Sequence, residues 1–349
     1  MKITEQVFGE YNGRQVIEYA LVNDSGMHVS CLNYGCVITK IMVPDRGGMM
    51  ENVVLGFDNF NDYLEWSPYF GAVVGRVAGR IKDARFELDG KEYLLTKNEG
   101  ANHLHGGQKG FSSCFWQAEK IENEQAAGVK FSYQSPDGGE GYPGHLNTAV
   151  TYLLTNENEL EITFEATTDQ TTIVNLTNHT YFNLSGNLKQ DITDHILQLE
   201  GDRILELGSD LIPTGYMIET AGTPFDFSKG RRLRDGIYST YAQNVLVGNG
   251  YDHPLIFSKQ GENSILLSDE ESGRRLEVTT NQPCVVLYTG NFLEGPYSIS
   301  GVPARDYLGV CLETQGFPDA IHHPEFPTII LNPEEVYFGK TTYRFFVNH

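Results

Sequence analysis

Apolar residues recur at every second position in segment after segment of this 349-residue chain, a period that fits strands buried on one face. In LEITFEAT (160–167), Leu160, Ile162, Phe164 and Ala166 alternate with polar residues. VKFSYQ sets Val129, Phe131 and Tyr133 on one face, and TTYRFFVNH does the same with Tyr343, Phe345 and Val347. RFELDGKEYLL reads as a hairpin, with Asp89-Gly90 as the two-residue turn between alternating arms. The 37 glycines and 14 prolines supply the many turns that short strands require. Helical signals are few; NFNDYLEW (59–66) is the best, with Asn59 or Asn61 as its cap. No Pro- or Ser-rich linker, low-complexity tract or repeat marks a boundary. Residues 1–349 are therefore expected to form a single all-β domain, a large antiparallel β-sandwich whose inner faces supply the core.

Composition narrows the partners. Hydrophobic residues make up 40% and charged residues 20%, enough for a real core. Against 46 Asp and Glu stand only 25 Lys and Arg, a formal charge of −21 that phosphate backbones and anionic membranes would repel. No stretch has the length and apolarity of a membrane span, and the opening MKITEQVFGEYNGRQ lacks the apolar core of a secretory signal. The five cysteines (Cys31, Cys36, Cys114, Cys284, Cys311) form no CxxC pair and read as reduced thiols of a cytoplasmic protein. Asn175, Asn178 and Asn183 each open an N-x-[ST] sequon, which without export carries no glycan. In so acidic a chain, a basic side chain in a pocket stands out.

The segment NLTNHTYFNLSG (175–186) sets His179 among small polar residues and aromatics, where an imidazole can exchange a proton with a polar ligand near neutrality. A partner is available in GVCLETQGFPDAIHHPEFP (309–327). Val310, Leu312 and Thr314 read as one face of a strand and Cys311, Glu313 and Gln315 as the other. The plain alternative is a strand-end glutamate facing water. In NEGANHLHGGQKGF (98–111), His105 precedes a Gly-Gly pair that lets the backbone turn and aim the ring at a pocket. On a strand, His103 and His105 would point the same way, as metal ligands do, but no third ligand stands nearby and no metal is expected.

GAVVGRVAGRI (71–81) carries Arg76 and Arg80 in a glycine-rich run, without the Gly-Lys-Ser/Thr of a phosphate loop or the strand-to-helix context of a dinucleotide site. Arg80 reads as a fixed fork of donors, holding ligand oxygens or orienting Glu313. Asp252, in GNGYDHPLIF (248–257), can accept from ligand hydroxyls or simply fix its own turn. TNQPCVVLYTGNF (280–292) reads as a strand from Cys284 to Tyr288 flanked by Gln282 and Asn291. The basic run RRLR (231–234) is the sole cluster that could hold an anion, although such runs usually face water.

In this order, GRVAGRI, HLHGG, NLTNHTYFNL, the YDH loop, QPxxxxYTGNF and LETQxFPDAxxHPxFP resemble the aldose 1-epimerases, the galactose mutarotase family, over nearly the whole chain. The resemblance implies a mutarotase-like supersandwich with an open sugar cleft and no cofactor. It implies an isomerase of hexose metabolism that interconverts α and β anomers of sugars such as galactose and glucose, as monomer or homodimer. Carried over by motif, Glu313 is the general base and His179 the general acid. Arg80, His105, Asp252 and Gln282 are binders of sugar hydroxyls. Two departures stand out: Gly79 where relatives often have Asn, which bears on sugar preference, and His322 where Asn is frequent.

The implied chemistry is the opening of a hemiacetal. Ionised Glu313 takes the O1 proton, protonated His179 gives one to the ring oxygen O5, and reclosure after rotation about C1–C2 gives the other anomer. This asks for two different electrostatic settings, with Arg80 keeping Glu313 ionised and carboxylates keeping His179 protonated. Three rivals remain open. A sugar-phosphate epimerase would need a basic pocket, a glycosidase a carboxylate pair such as Glu313 and Asp252, and a sugar-binding module no acid–base pair at all.

Overall fold

The computed structural model describes residues 1–122, 126–259 and 263–348. The alternating segments become the strands expected of them. Glu159–Thr168 buries Leu160, Ile162, Phe164 and Ala166, and Tyr337–Val347 buries Tyr343 and Phe345. Arg85–Leu88 and Lys91–Leu94 pair across Asp89 and Gly90, whose positive φ values of 54° and 74° are those of a primed hairpin turn. The short helix Phe60–Trp66 is capped by Asn59, whose side chain accepts from the Asp62 amide at 3.0 Å.

Three antiparallel sheets account for the architecture. One is a five-stranded meander running from Lys2–Tyr11 to Met50–Asn52. The second has nine strands, and Tyr337–Val347 lies in its interior between Glu159–Thr168 and Arg274–Thr280. The third has six, in the order Tyr181–Phe182, Val310–Gln315, Cys284–Tyr288, Asp252–Phe257, Gly201–Leu207 and Pro213–Glu219. One buried apolar cluster draws on all three, joining Leu21 and Val29, Phe131 and Phe164, and Leu255 and Leu312. The expected all-β sandwich is the observed fold.

The six-stranded sheet positions the site, and its register explains how. Directly opposite residues in an antiparallel pair share a face. Glu313 stands opposite Val286, Gln315 opposite Cys284, Cys311 opposite Tyr288, and Tyr288 in turn opposite Asp252. The alternate set, Val310, Leu312, Val285, Leu287 and Leu255, packs into the central cluster. One face of this sheet is therefore core, and the other presents carboxylates, an amide and a phenol together. That outer face is covered: every residue of Val310–Gln315 is buried, because loops wall it in. Glu313 is 3% exposed, so it is no strand-end glutamate facing water.

Candidate active site

A cleft with about 900 Å³ of free space, counting its open mouth, lies over this sheet face. It is of a size that takes a small ligand. Arg80, His105, His179, Asp252 and Glu313 all line it.

His179 is delivered from the opposite side. Thr177–Asn178 pairs with Val73–Val74, and the His179 amide donates to the Ala72 carbonyl at 2.8 Å. The return bond runs from the Gly71 amide to the His179 carbonyl at 3.1 Å. Gly71 has φ +66°, and a side chain there would overlap the Ile38 carbonyl, so this close approach requires glycine. The sequon residue Asn178 is 4% exposed and donates to the Gly71 carbonyl and the Tyr152 hydroxyl, which makes it scaffold and not a glycan acceptor. The ring of His179 lies nearly parallel to Tyr181 at 5.0 Å and to Tyr69 at 5.7 Å between centroids. Its Nδ1 is 3.6 Å from the Cys311 thiol, and its Nε2 is 3.5 Å from Glu313 Oε1.

His105 reaches the same place by another route. Strand His103–Leu104 ends at His105, whose φ of +50° turns it out of the strand. The two rings therefore diverge. His103 is buried against the Thr96 carbonyl (2.6 Å) and the Tyr142 hydroxyl (2.7 Å), whereas His105 enters the cleft. The Gly79 amide donates to His105 Nδ1 at 3.2 Å, which leaves the proton of the neutral ring on Nε2. His105, His179 and Glu313 have ligating atoms within 4.8 Å of one another, a spacing that could bracket a metal ion. The tautomer of His105 speaks against one, because a protonated Nε2 donates hydrogen bonds and cannot coordinate. It suits a ligand oxygen that accepts a hydrogen bond.

Arg80 donates through Nε to Glu99 Oε1 at 2.9 Å, and its Nη1 stands 4.0 Å from Asp252. Burial opposes its charge, but Asp252, Glu99 and Glu313 more than offset that and hold the guanidinium above its ordinary value. Burial raises the Asp252 carboxyl, with Arg80 working against the rise and Glu99 with it.

At the central pair the electrostatics run opposite to the setting expected from sequence. Burial pushes the His179 imidazole down to about 4. Burial, then the Asp252 carboxylate, push the Glu313 carboxyl well above its usual range, and Arg80 only partly opposes them. Desolvation outweighs the arginine, so the surroundings favour neutral imidazole beside neutral carboxyl. The proton count is unchanged, since that couple holds one proton, as an imidazolium–carboxylate pair does.

Gln282 stands apart. Its amide donates to Asn281 at 3.0 Å, and it lines a separate depression with Pro283, Gly316 and Tyr337. Strand Cys284–Tyr288 turns Val286 and Tyr288 toward the cleft, and Gln282 precedes that strand. Tyr69, Tyr288, Phe292 and Gln315 also line the cleft without having been singled out as ligand-facing. For Gln315 the signal was available, since it shares the alternate face of Glu313. For Tyr69 none was, because its ring arrives from a distant loop.

The basic run carries no free anion site. Arg232 is paired with Asp194 (2.6 Å) and Glu270 (2.7 Å), Arg234 with Asp194, and Arg231 donates to the Thr223 carbonyl at 2.8 Å. None of them lines the cleft. His322 binds Asp319 at 2.6 Å, also away from the cleft.

A sandwich whose sheet floor sets a histidine beside a carboxyl, with further hydrogen-bonding groups around them, has the parts that an acid–base enzyme for small polar molecules requires. A family model described as aldose 1-epimerase matches residues 18–344. The chain is 43% identical to the galactose mutarotase of Bos taurus over 351 aligned residues, 99% of each chain. It is 34% identical to the aldose 1-epimerase of Escherichia coli K12, over 93% of this chain and 94% of that one. Among solved structures, a galactose 1-epimerase from Lactobacillus acidophilus superimposes with a TM-score of 0.89 at 33% identity, over 100% of this chain and 99% of that one. This chain belongs to the aldose 1-epimerase family and is an isomerase.

Proposed function

We propose that this chain interconverts the α and β anomers of galactose and glucose, with Glu313 and His179 as the proton-transfer couple and Arg80, His105 and Asp252 holding sugar hydroxyls. The observation that carries this reading is the 3.5 Å approach of His179 Nε2 to Glu313 Oε1 in a walled cleft. A hemiacetal needs one group to take the O1 proton and another to give one to O5, and a couple sharing a single proton does both.

In the forward step, carboxylate Glu313 takes the proton of O1 as imidazolium His179 gives its Nε2 proton to O5, and the C1–O5 bond breaks. The products are the open-chain aldehyde, neutral Glu313 and neutral His179. Burial favours that neutral couple, so the surroundings stabilise the proton arrangement that accompanies the open sugar. After rotation about C1–C2, O5 attacks the other face of C1 and both protons return. The same directions support a second reading in which neutral Glu313 gives to O5 and neutral His179 takes from O1. A sugar complex decides between them by which oxygen lies against Glu313.

Among the described residues, Arg80 is the only basic side chain of Lys or Arg type lining the cleft, and Asp252 and Glu313 line it too, which supports a neutral sugar over a sugar phosphate. Arg80, His105, His179, Asp252 and Glu313 line one cleft of this chain, which supports reading residues 1–349 as a single catalytic domain that works as monomer or homodimer. No helix of the described residues is long and apolar enough to cross a membrane, and the five cysteines are free, which fits a cytoplasmic setting.

Polarimetry of freshly dissolved α-galactose and α-glucose tests the reading. Glu313→Gln and His179→Asn should each lower kcat by ~10²–10⁴-fold, the usual scale of acid–base assistance, while galactose still binds. Near-full turnover in either variant removes that residue from its role. A strong preference for glucose 6-phosphate would overturn the choice of substrate.

A further inference from the structure

Gln315 lies two residues beyond Glu313 on the same strand, on the same sheet face, and lines the cleft. It is fully buried, yet its amide is nearly idle. Nε2 donates to the adjoining Gly316 carbonyl at 3.2 Å, and the buried Oε1 has no hydrogen-bond partner among the described residues. A glutamine retained for the scaffold would be expected to use both ends, because a buried amide oxygen without a donor is a net cost to folding. A methionine of similar shape would fill the same space without that cost.

The neighbouring backbone leaves room beside this amide. Gly79 has φ +75°, and a Cβ there would sit 3.7 Å from Gln315 Nε2 and 3.0 Å from Pro318 Cβ. Glycine at this position thus leaves that side of the amide free of a packed side chain, and Nε2, which has two hydrogens, is given one acceptor among the described residues, the Gly316 carbonyl.

Resting on the epimerase reading, we propose that Gln315 is a substrate-binding residue whose carboxamide hydrogen-bonds a sugar hydroxyl on the side where Gly79 carries no side chain. The bond is made to a hydroxyl that does not react, so it is present in both ring-closed and ring-opened sugar. It therefore acts on binding and leaves the proton transfers alone.

The test compares wild type with Gln315→Met. The unfolding midpoint of the variant should equal or exceed that of wild type. KM for galactose should rise roughly two- to tenfold, the scale of one neutral hydrogen bond, with kcat little changed. Across 2-deoxygalactose and 6-deoxygalactose, the rise should vanish for the sugar lacking the contacted hydroxyl, or persist for both when a ring hydroxyl at C3 or C4 is the partner. An unchanged KM on every sugar overturns the proposal. So does a fall in stability and kcat together without a change in KM, since that is a scaffold role. Calorimetric titration of galactose into both proteins separates this inference from the one beneath it. Absent mutarotation by wild type sinks the epimerase reading, whereas equal galactose affinities sink the role of Gln315.

Discussion

Arg76 and Arg80 stand four residues apart in one glycine-rich segment, and they do opposite things. Arg76 is 2% exposed and, among the described residues, forms no ion pair with a carboxylate. Its guanidinium donates to the carbonyls of Ser135, Pro136, Pro143 and Gly144 and to the Ser135 hydroxyl, at 2.8–3.1 Å. Carbonyl dipoles satisfy its donors without cancelling its charge, and burial brings its pKa down to about 10. Arg80 keeps a side exposed to the cleft and is bracketed by Glu99 and Asp252, which hold its pKa up. One arginine ties loops together with every donor spent. The other has its charge matched and donors to spare. The histidines two residues apart divide the same way, His103 spent on Tyr142 and Thr96 and His105 turned to the cleft.

The sharpest way to break this contrast is Arg76→Ala. It strands a set of buried carbonyls and should cost about 3–5 kcal/mol of stability, the range for opening a buried charged network. An unchanged urea midpoint would show Arg76 to be dispensable to the fold. Arg80→Ala should do the reverse. We expect a loss of about 1.5–3 kcal/mol in transition-state binding, roughly ten- to hundredfold in kcat/KM, with the midpoint preserved. Loss of stability without loss of kcat/KM would place Arg80 with Arg76.

The smallest effect is in the pH profile. The proposed couple of Glu313 and His179 holds one proton. Lowering pH through about 4, where His179 gains a second, should lower kcat/KM. Raising pH through the elevated pKa of Glu313, where the couple loses its proton, should lower it again. Arg80 pulls the Glu313 value down, so Arg80→Ala should move the alkaline limb upward. An alkaline limb that stays in place would mean that Arg80 is not coupled to Glu313.

Much of this was legible in the residues. Alternation gave the strands and, for Val310–Gln315, the face on which Glu313 lies. The Asp89-Gly90 turn and the Asn59 cap are local, and local chemistry decided them. Motif order brought Arg80, His105, His179, Asp252 and Glu313 to one cleft although they are scattered through the chain. Three things were not readable. Alternation reports which way a side chain points but not what covers it, so Glu313 was open to the solvent-facing reading. Proximity to Arg80 suggested an ionised Glu313, whereas the depth of burial, a tertiary quantity, sets the direction. Gln282 sits at a motif position but just before the strand whose alternate residues reach the cleft.

The central place of Tyr337–Val347 in the nine-stranded sheet bears on the timing of assembly. Strands from Gln117–Glu122 to Glu159–Thr168 lie on one side of it, and those from Arg274–Thr280 outward on the other. A nascent chain emerging from the ribosome can hold both halves, but nothing zips them together until residues near 347 are free of the tunnel. The long span between partners makes that a slow, late step. Until then the apolar faces that will bury Tyr343 and Phe345 are open to wrong partners, and it is there that a chaperone would find this polypeptide.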